Sequence, residues 1–403
     1  ADVYLLSPVR CISSEALRSR LMNGKFAESE SGSTRLPVSV PPDSGKPSYH
    51  PGSCSLFSND CVDTTVLKVA IIGAPNAGKS TLSNQLLGQK LFAVSKKVHT
   101  TRTRAMGVLT EDETQIILLD TPGMTTPLKV KKHLLEKSLL IDPWNSVKEA
   151  DLVVVLVDVS DRWMCGQLDF EVLRCLAHHP DVPAVLVLNK VDQITVKDRL
   201  LDITAVLTCG IVNGHKIKVR PVIKPPWAEK KPENILDVEN TEEPEATDQN
   251  KTGLKLKELS RQRGWPHFKD VFMLSSLDRE DVETLKSYFL VKAKPGEWQY
   301  HSEVLTDQTP EQICTDLIRG KLLEYLPQEV PYTVTQSVEL WHEGENGVLD
   351  INVRLNAKKA SHVRMVIGMA GQMVTRMARE VSEDLSRIFL TEVHVKLSVK
   401  LKK

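Results

Sequence analysis

The sequence predicts an α/β chain: a doubly wound, mostly parallel sheet covered by helices, followed by a smaller α+β unit. Three observations predict it. Short, wholly apolar strands such as Leu152–Val157 and Ala184–Leu188 need cover on both faces, the mark of a parallel sheet. Strands alternate with helical periods from Val66 to about Leu290. A glycine-bordered loop, Gly73–Ser80, joins a strand directly to a helix, the juncture at which open α/β sheets bind phosphate.

The elements follow in order. Residues 1–64 carry no sustained period and are rich in Ser, Pro and Gly, so they read as a disordered or targeting segment. Val66–Ile72 is a strand, and Lys79–Leu87 a helix stopped by Gly88. Ala105–Leu109 and Thr114–Leu119 are strands joined by the polar turn Thr110–Glu113. Lys129–Ile141 has a helical period. A long polar insertion at about 219–257 interrupts the pattern, which resumes with a strand at Val271–Leu274 and a helix at Glu280–Leu290. Lys294-Pro295-Gly296 closes the first unit, at 65–298. The second unit, 299–403, begins with a helix from Pro310 to Leu326. Strands at Ser337–Trp341 and Val348–Val353 come next. Two helices, Ser361–Ile367 and Gln372–Arg379, flank Gly368–Gly371, and a last strand spans Val393–Val399.

Composition excludes several functions. Among 403 residues, 52 Lys+Arg balance 52 Asp+Glu, so no whole-chain positive charge draws the protein to nucleic acid. No run of 18 apolar residues predicts a transmembrane segment. Seven scattered cysteines with no CxxC pair suit a reducing compartment and argue against a disulfide framework or a zinc site.

The chemistry sits on five loops. Gly73-Ala74-Pro75-Asn76-Ala77-Gly78-Lys79-Ser80 is a full GxxxxGK[ST] loop, with Thr81 continuing into the helix. Its N–H groups would curl around a phosphate chain, Lys79 would reach the terminal phosphates, and Ser80 would give Mg²⁺ an oxygen. Asn189-Lys190-Val191-Asp192 follows an apolar strand to the carboxyl edge of the same sheet. A fixed carboxylate at Asp192 accepts from both N1–H and N2–H₂ of guanine, a donor pair adenine lacks, so the expected ligands are GTP and GDP. Asp120-Thr121-Pro122-Gly123 ends another strand, where Asp120 can hold a metal-bound water and the Gly123 N–H can meet the γ-phosphate. Thr101, or its neighbour Thr100, is placed to complete Mg²⁺ coordination. Ser275-Ser276-Leu277 follow the strand Val271–Leu274 and can offer backbone N–H to the guanine O6.

These residues resemble the Era family of translation-linked GTPases. GAPNAGKSTL, HTTRTR, DTPG, LNKVD and a terminal IGxxG unit occur in that family's order, from about Val66 to the C-terminus. Gly264–Phe268 and the long insertion resemble its mitochondrial branch. The resemblance implies a P-loop GTPase domain followed by a type II KH domain. It also implies binding to small-subunit ribosomal RNA and a part in assembling the mitochondrial small ribosomal subunit, in the matrix and peripherally at the inner membrane. The expected RNA-binding residues are Arg364, Ile367, Gly368, Met369, Ala370, Gly371 and Arg376, with Val366 and Ile367 as an apolar floor. The family's GxxG turn usually carries a basic residue, whereas this one holds Met369-Ala370. Residues 301–403 count 13 Lys+Arg against 14 Asp+Glu. That balance motivates a second reading, a GTP-dependent protein scaffold with weakened RNA contact.

Hydrolysis should be slow. Many GTPases place a water-orienting Gln after the DxxG glycine, and here that residue is Met124. Asn76 stands where related GTPases help hold K⁺, which gives two expectations: K⁺-stimulated turnover assisted by Lys79, Thr101 and Gly123, or an Asn76 that only shapes the loop.

Overall fold

The computed structural model describes residues 12–13, 64–95, 97, 104–124, 138–161, 165–217, 259, 261–344 and 346–402. Thr100 and Thr101, most of the expected helix 129–141 and the insertion at 219–257 lie outside the described residues.

The first unit is laid down by its apolar strands. β1 (Thr65–Gly73) is followed by α1 (Lys79–Leu87), the antiparallel pair β2 (Ala105–Glu111) and β3 (Thr114–Asp120), then α2 (Ser138–Glu149). β4 (Leu152–Asp158), α3 (Phe170–His178), β5 (Ala184–Asn189), α4 (Asp198–Leu207), β6 (Phe268–Leu274) and α5 (Arg279–Lys292) complete it. The sheet order is β2-β3-β1-β4-β5-β6, parallel except for β2. Leu67, Val69 and Ile71 enter one core while Ala70 and Ile72 enter the other. Both faces of the central strand are therefore sealed, as its unbroken apolar run requires.

Register decides where the site lies. Ile71 pairs with Asp120, Gly73 with Leu156, Asp158 with Asn189, and Asn189 with Leu274. The carboxyl ends of β1, β3, β5 and β6 thus converge on one edge of the sheet.

Two helix lengths differ from the sequence reading. α2 runs through Pro143 to Glu149, past the expected end at Ile141. Val147, 0% exposed, packs the segment after the proline into the core. α8 (Gln372–Phe389) continues ten residues beyond Arg379. Its buried stripe Met377, Val381, Leu385 and Ile388 keeps a helical period, and the one acid within that stripe, Asp384, is paired with Lys90.

The second unit opens on α6 (Pro310–Tyr325), started by a capping box between Thr309 and Gln312 with Pro310 in the first turn. β7 (Thr335–Glu343) pairs antiparallel with β8 (Leu349–Ala357), which pairs in parallel with β9 (Val393–Leu401). α7 (Ala360–Ile367) and α8 supply the crossover between them. Ile351, Val353 and Leu355 join Leu317, Ile318, Val381 and Leu385 in the core. The order α-β-β-α-α-β around a mixed three-stranded sheet is that of a type II KH domain.

The two units touch. Lys90, just after α1, binds Asp384 of α8 at 2.7 Å. Lys97 donates to the Leu326 carbonyl at the end of α6. The strand Val304–Thr306 lies beyond the expected boundary at 298/299, yet it hydrogen-bonds into the first sheet beside β2. Thr306 Oγ1 donates to Met106 O at 2.6 Å, and Met106 N–H donates to Asp307 at 3.2 Å. Ile12–Ser13 adds a further antiparallel step on Val304–Thr306.

Candidate nucleotide and nucleic-acid sites

The loop between β1 and α1 places Gly73 to Ser80 at the sheet edge. Asn76 adopts a left-handed φ of 63°, and Gly78 has φ of 100°. A β-carbon at Gly78 would lie 2.3 Å from the Asn189 amide nitrogen, so glycine is required there on both counts. Lys79 is 6% exposed, and its ammonium donates to the carbonyls of Ala74 (2.9 Å) and Gly73 (3.3 Å). Burial brings its pKa down to about 8, with Asp120 pulling the other way.

Asp120 ends β3 with no exposure. Its Oδ2 accepts from Ser80 Oγ at 2.6 Å, while the buried Oδ1 has no hydrogen-bond partner among the described residues. Burial pushes the carboxyl up to about 6, against the pull of Ser80, Lys79 and Ser83. An orphaned carboxylate oxygen beside a serine hydroxyl is the donor chemistry a hard divalent cation accepts. Thr121 Oγ1 donates to Ile71 O at 2.6 Å and pins the loop. Pro122 and Gly123 are buried beside it, and Met124 N–H donates to Gly73 O at 3.1 Å. Met124, 2% exposed, packs with Met106, Val108 and Leu119 in the core, so its side chain is withdrawn from any attacking water.

Asn189 ties the loops together. Its Nδ2 donates to Ala77 O (2.7 Å), and its Oδ1 accepts from Lys190 N–H (2.8 Å), Ser276 N–H (2.9 Å) and Ser276 Oγ (2.9 Å). The side chain therefore builds the pocket by joining three of its walls. The Ser276 N–H, expected to face the guanine O6, is engaged by Asn189 instead. Of the other two N–H groups in this segment, Ser275 donates to Asp281 at 2.8 Å and Leu277 to Ser275 Oγ at 3.4 Å. Lys190 extends over the phosphate loop to Asn76 O (3.0 Å) and pairs with Asp158 at 2.5 Å. Val191 and the exposed Asp192 open a short 3₁₀ turn. Thr81 is half-buried in the first turn of α1.

Sequence reasoning missed Asp158, Asp281 and the Thr121 brace. Asp158 had a readable signal: it is the last residue of β4, opposite Asn189 in the neighbouring strand.

In the second unit, α7 meets α8 at Gly368–Gly371. Val366 is fully buried beneath the turn and Ile367 is half-buried. Arg364 is exposed. Arg376 is exposed but engaged: its Nε donates to Glu380 at 3.0 Å and its guanidinium lies 4.7 Å over the Tyr325 ring. Burial works against the Glu380 carboxylate, but hydrogen bonds from Lys321, Tyr325 and Arg376 outweigh it and hold its pKa down at about 2.

Comparison with known proteins follows this geometry. Residues 68–190 match the family model described as 50S ribosome-binding GTPase. The mitochondrial GTPase Era of Salmo salar is 61% identical over 99% of this chain and 89% of its own. That of Danio rerio is 56% identical over 98% and 88%. The crystal structure of Era in complex with MgGDPNP and nucleotides 1506–1542 of 16S ribosomal RNA matches at a TM-score of 0.63 and 24% identity. It covers 84% of this chain and 94% of that one. No helix among the described residues is long and apolar enough to cross a membrane. On sequence identity over its whole length, and on a fold whose sheet edge gathers a phosphate loop, a buried aspartate and the Asn189–Asp192 turn, the chain belongs to the mitochondrial branch of the Era family of GTPases.

Proposed function

We propose that the protein is a GTP-switched RNA-binding factor that holds small-subunit ribosomal RNA on its KH domain and assists assembly of the mitochondrial small ribosomal subunit. It would act in the matrix, with peripheral contact to the inner membrane. The observation that carries the reading is the Asn189 clamp. One amide fixes the phosphate loop, the base-reading turn and the Ser275–Leu277 loop relative to each other, so phosphate grip and base choice form a single site.

The residues act as follows. Lys79, now held by loop carbonyls, exchanges them for the β- and γ-phosphate oxygens of GTP. Asp192 accepts from the guanine ring and the Leu277 N–H donates to O6. Ser80, Thr101 and Asp120 would hold Mg²⁺, which supplies neutralisation of phosphate charge when bound. The Gly123 N–H is positioned to sense the γ-phosphate. With Met124 buried, no side chain after the DxxG glycine orients water, and unassisted turnover is slow. Asn76 would hold K⁺ against the developing transition-state charge.

The second domain favours RNA over the scaffold alternative. Between residues 358 and 379 there are five Lys/Arg and no Asp/Glu, so the helix–turn–helix is basic although its domain is not. Crosslinking the full chain to RNA in cells and sequencing the captured RNA tests this. Enrichment of small-subunit ribosomal RNA is expected, and recovery of no RNA above an untagged control refutes it.

A further inference from the structure

The helix–turn–helix of the KH domain separates charge from apolar surface. Lys358, Lys359 and Arg364 are exposed along α7 and its approach, while Arg376 and Arg379 on α8 face Glu380 and Glu383. The turn between the helices carries no cation at all. Gly368 has φ of 73°, and a β-carbon there would lie 2.6 Å from Met373 Cβ, so the backbone passes too close for any side chain. Ala370 follows with φ of 50°. This conformation throws Met369 outward, 86% exposed, beyond any other large apolar side chain among the described residues. Met365, one turn earlier on α7, is 45% exposed, and Val366 between them is fully buried. Two thioether side chains thus stand in water on the turn and the last part of α7, in a helix–turn–helix whose exposed cations are Lys358, Lys359 and Arg364.

Soft, polarisable methionines make good contacts with aromatic rings and adapt to ring position. The exposed cations of α7 and its approach select a polyanion, and unpaired nucleobases are the aromatic rings a polyanion offers. We propose that Met369, seconded by Met365, is a specificity-determining residue of the RNA site: it seats an unpaired base at the turn, while phosphates of the same strand that run along α7 are neutralised by Lys358, Lys359 and Arg364. The turn therefore contributes affinity without releasing counterions. This inference rests on the RNA-binding reading above.

The experiment is equilibrium binding of the full chain to a labelled RNA oligonucleotide with the sequence of nucleotides 1506–1542 of 16S ribosomal RNA, at a series of KCl concentrations. Met369→Ala should lower affinity severalfold while leaving the slope of log K against log salt unchanged. Scanning abasic sites through the oligonucleotide should find a position that costs the wild type the same factor and costs Met369→Ala nothing further. Met369→Lys should steepen the slope by about 0.7, one added phosphate contact on a single strand. Retained guanine-nucleotide binding and an unchanged melting temperature show that each variant is folded. If the wild type binds no RNA, the RNA reading itself fails. If it binds but Met369→Ala and Met369→Lys both match it in affinity and slope, only the present inference is overturned. Loss of affinity in Met369→Ala at every abasic position alike also overturns it, since no base is then being seated.

Discussion

Replacing Asn189 by Ala removes a side chain that makes four hydrogen bonds, to Ala77, Lys190 and twice to Ser276. Asn189 is 1% exposed and Ser276 4% exposed, so water does not readily replace what is lost. A typical intramolecular hydrogen bond contributes about 1 kcal/mol, and each buried group left unpaired adds its own desolvation penalty of about 1–3 kcal/mol. Because the four bonds share one carboxamide, their energies do not simply add. A total of about 3–4 kcal/mol is a reasonable value for the network. Part of it appears as global destabilisation. The remainder appears as misalignment of the phosphate loop with the base-reading turn. A loss of about 2–3 kcal/mol in nucleotide binding corresponds to roughly 30- to 150-fold in dissociation constant. A fluorescent GDP titration measures it, with thermal melting of the nucleotide-free protein alongside. Asn189→Ala should weaken GDP at least tenfold and lower the melting temperature. Binding within threefold of wild type would show that the loops are held by their backbones alone, and the clamp argument would be wrong.

Further outcomes follow from other sites. Asp192→Asn should exchange guanine for xanthine nucleotide preference in a competition titration, with phosphate-loop contacts unaffected; unchanged preference for GTP would remove Asp192 from base recognition. The Asp120 carboxyl, lifted to about 6 from its ordinary 3.8, binds protons more tightly in the folded form. Stability of the nucleotide-free protein should therefore fall as pH rises from about 4 to 6, by about 3 kcal/mol in total. Asp120→Asn should flatten that slope and raise the melting temperature at pH 7.5 while abolishing Mg²⁺-dependent GTP binding; a lower melting temperature contradicts the reasoning. Lys90→Ala leaves Asp384, 8% exposed, with Lys321 at 3.9 Å as its nearest cation among the described residues. The half-exposed lysine limits the effect to about 1 kcal/mol, and adding Asp384→Asn should recover part of it in a double-mutant cycle. Hydrolysis in K⁺ buffer should exceed that in Na⁺ buffer, and Asn76→Ala should erase the difference; equal rates in the two salts for the wild type exclude the cation role.

Much of this molecule was legible before any coordinates. The β1 and β4 runs had to be buried twice over, and Gly73–Ser80 and Asn189–Asp192 announce phosphate and base by residue type. What escaped was set by register. Nothing local distinguishes Asn189 as a brace from Asn189 as a ligand; only its position opposite Leu274 and near Ala77 decides it. Met124 reads as a missing catalytic group, and the fold adds that it is a core residue. The strand Val304–Thr306 is three residues long, too short to carry a period, and exists only because β2 offers it an open edge. Helix α8 looked short because its three acids crowd the stretch from Glu380 to Asp384.

That three-residue strand governs how the molecule can be taken apart. Thr306 and Asp307 grip Met106 from both sides, so the polypeptide joining the two units is stitched to the nucleotide-binding half for its first portion. A GTPase fragment cut at residue 298 would lose this seam and bare the hydrogen-bonding rim of β2, inviting self-association. Any swivel of the RNA-binding half must accordingly pivot after Asp307, within the two residues Gln308 and Thr309 that precede α6.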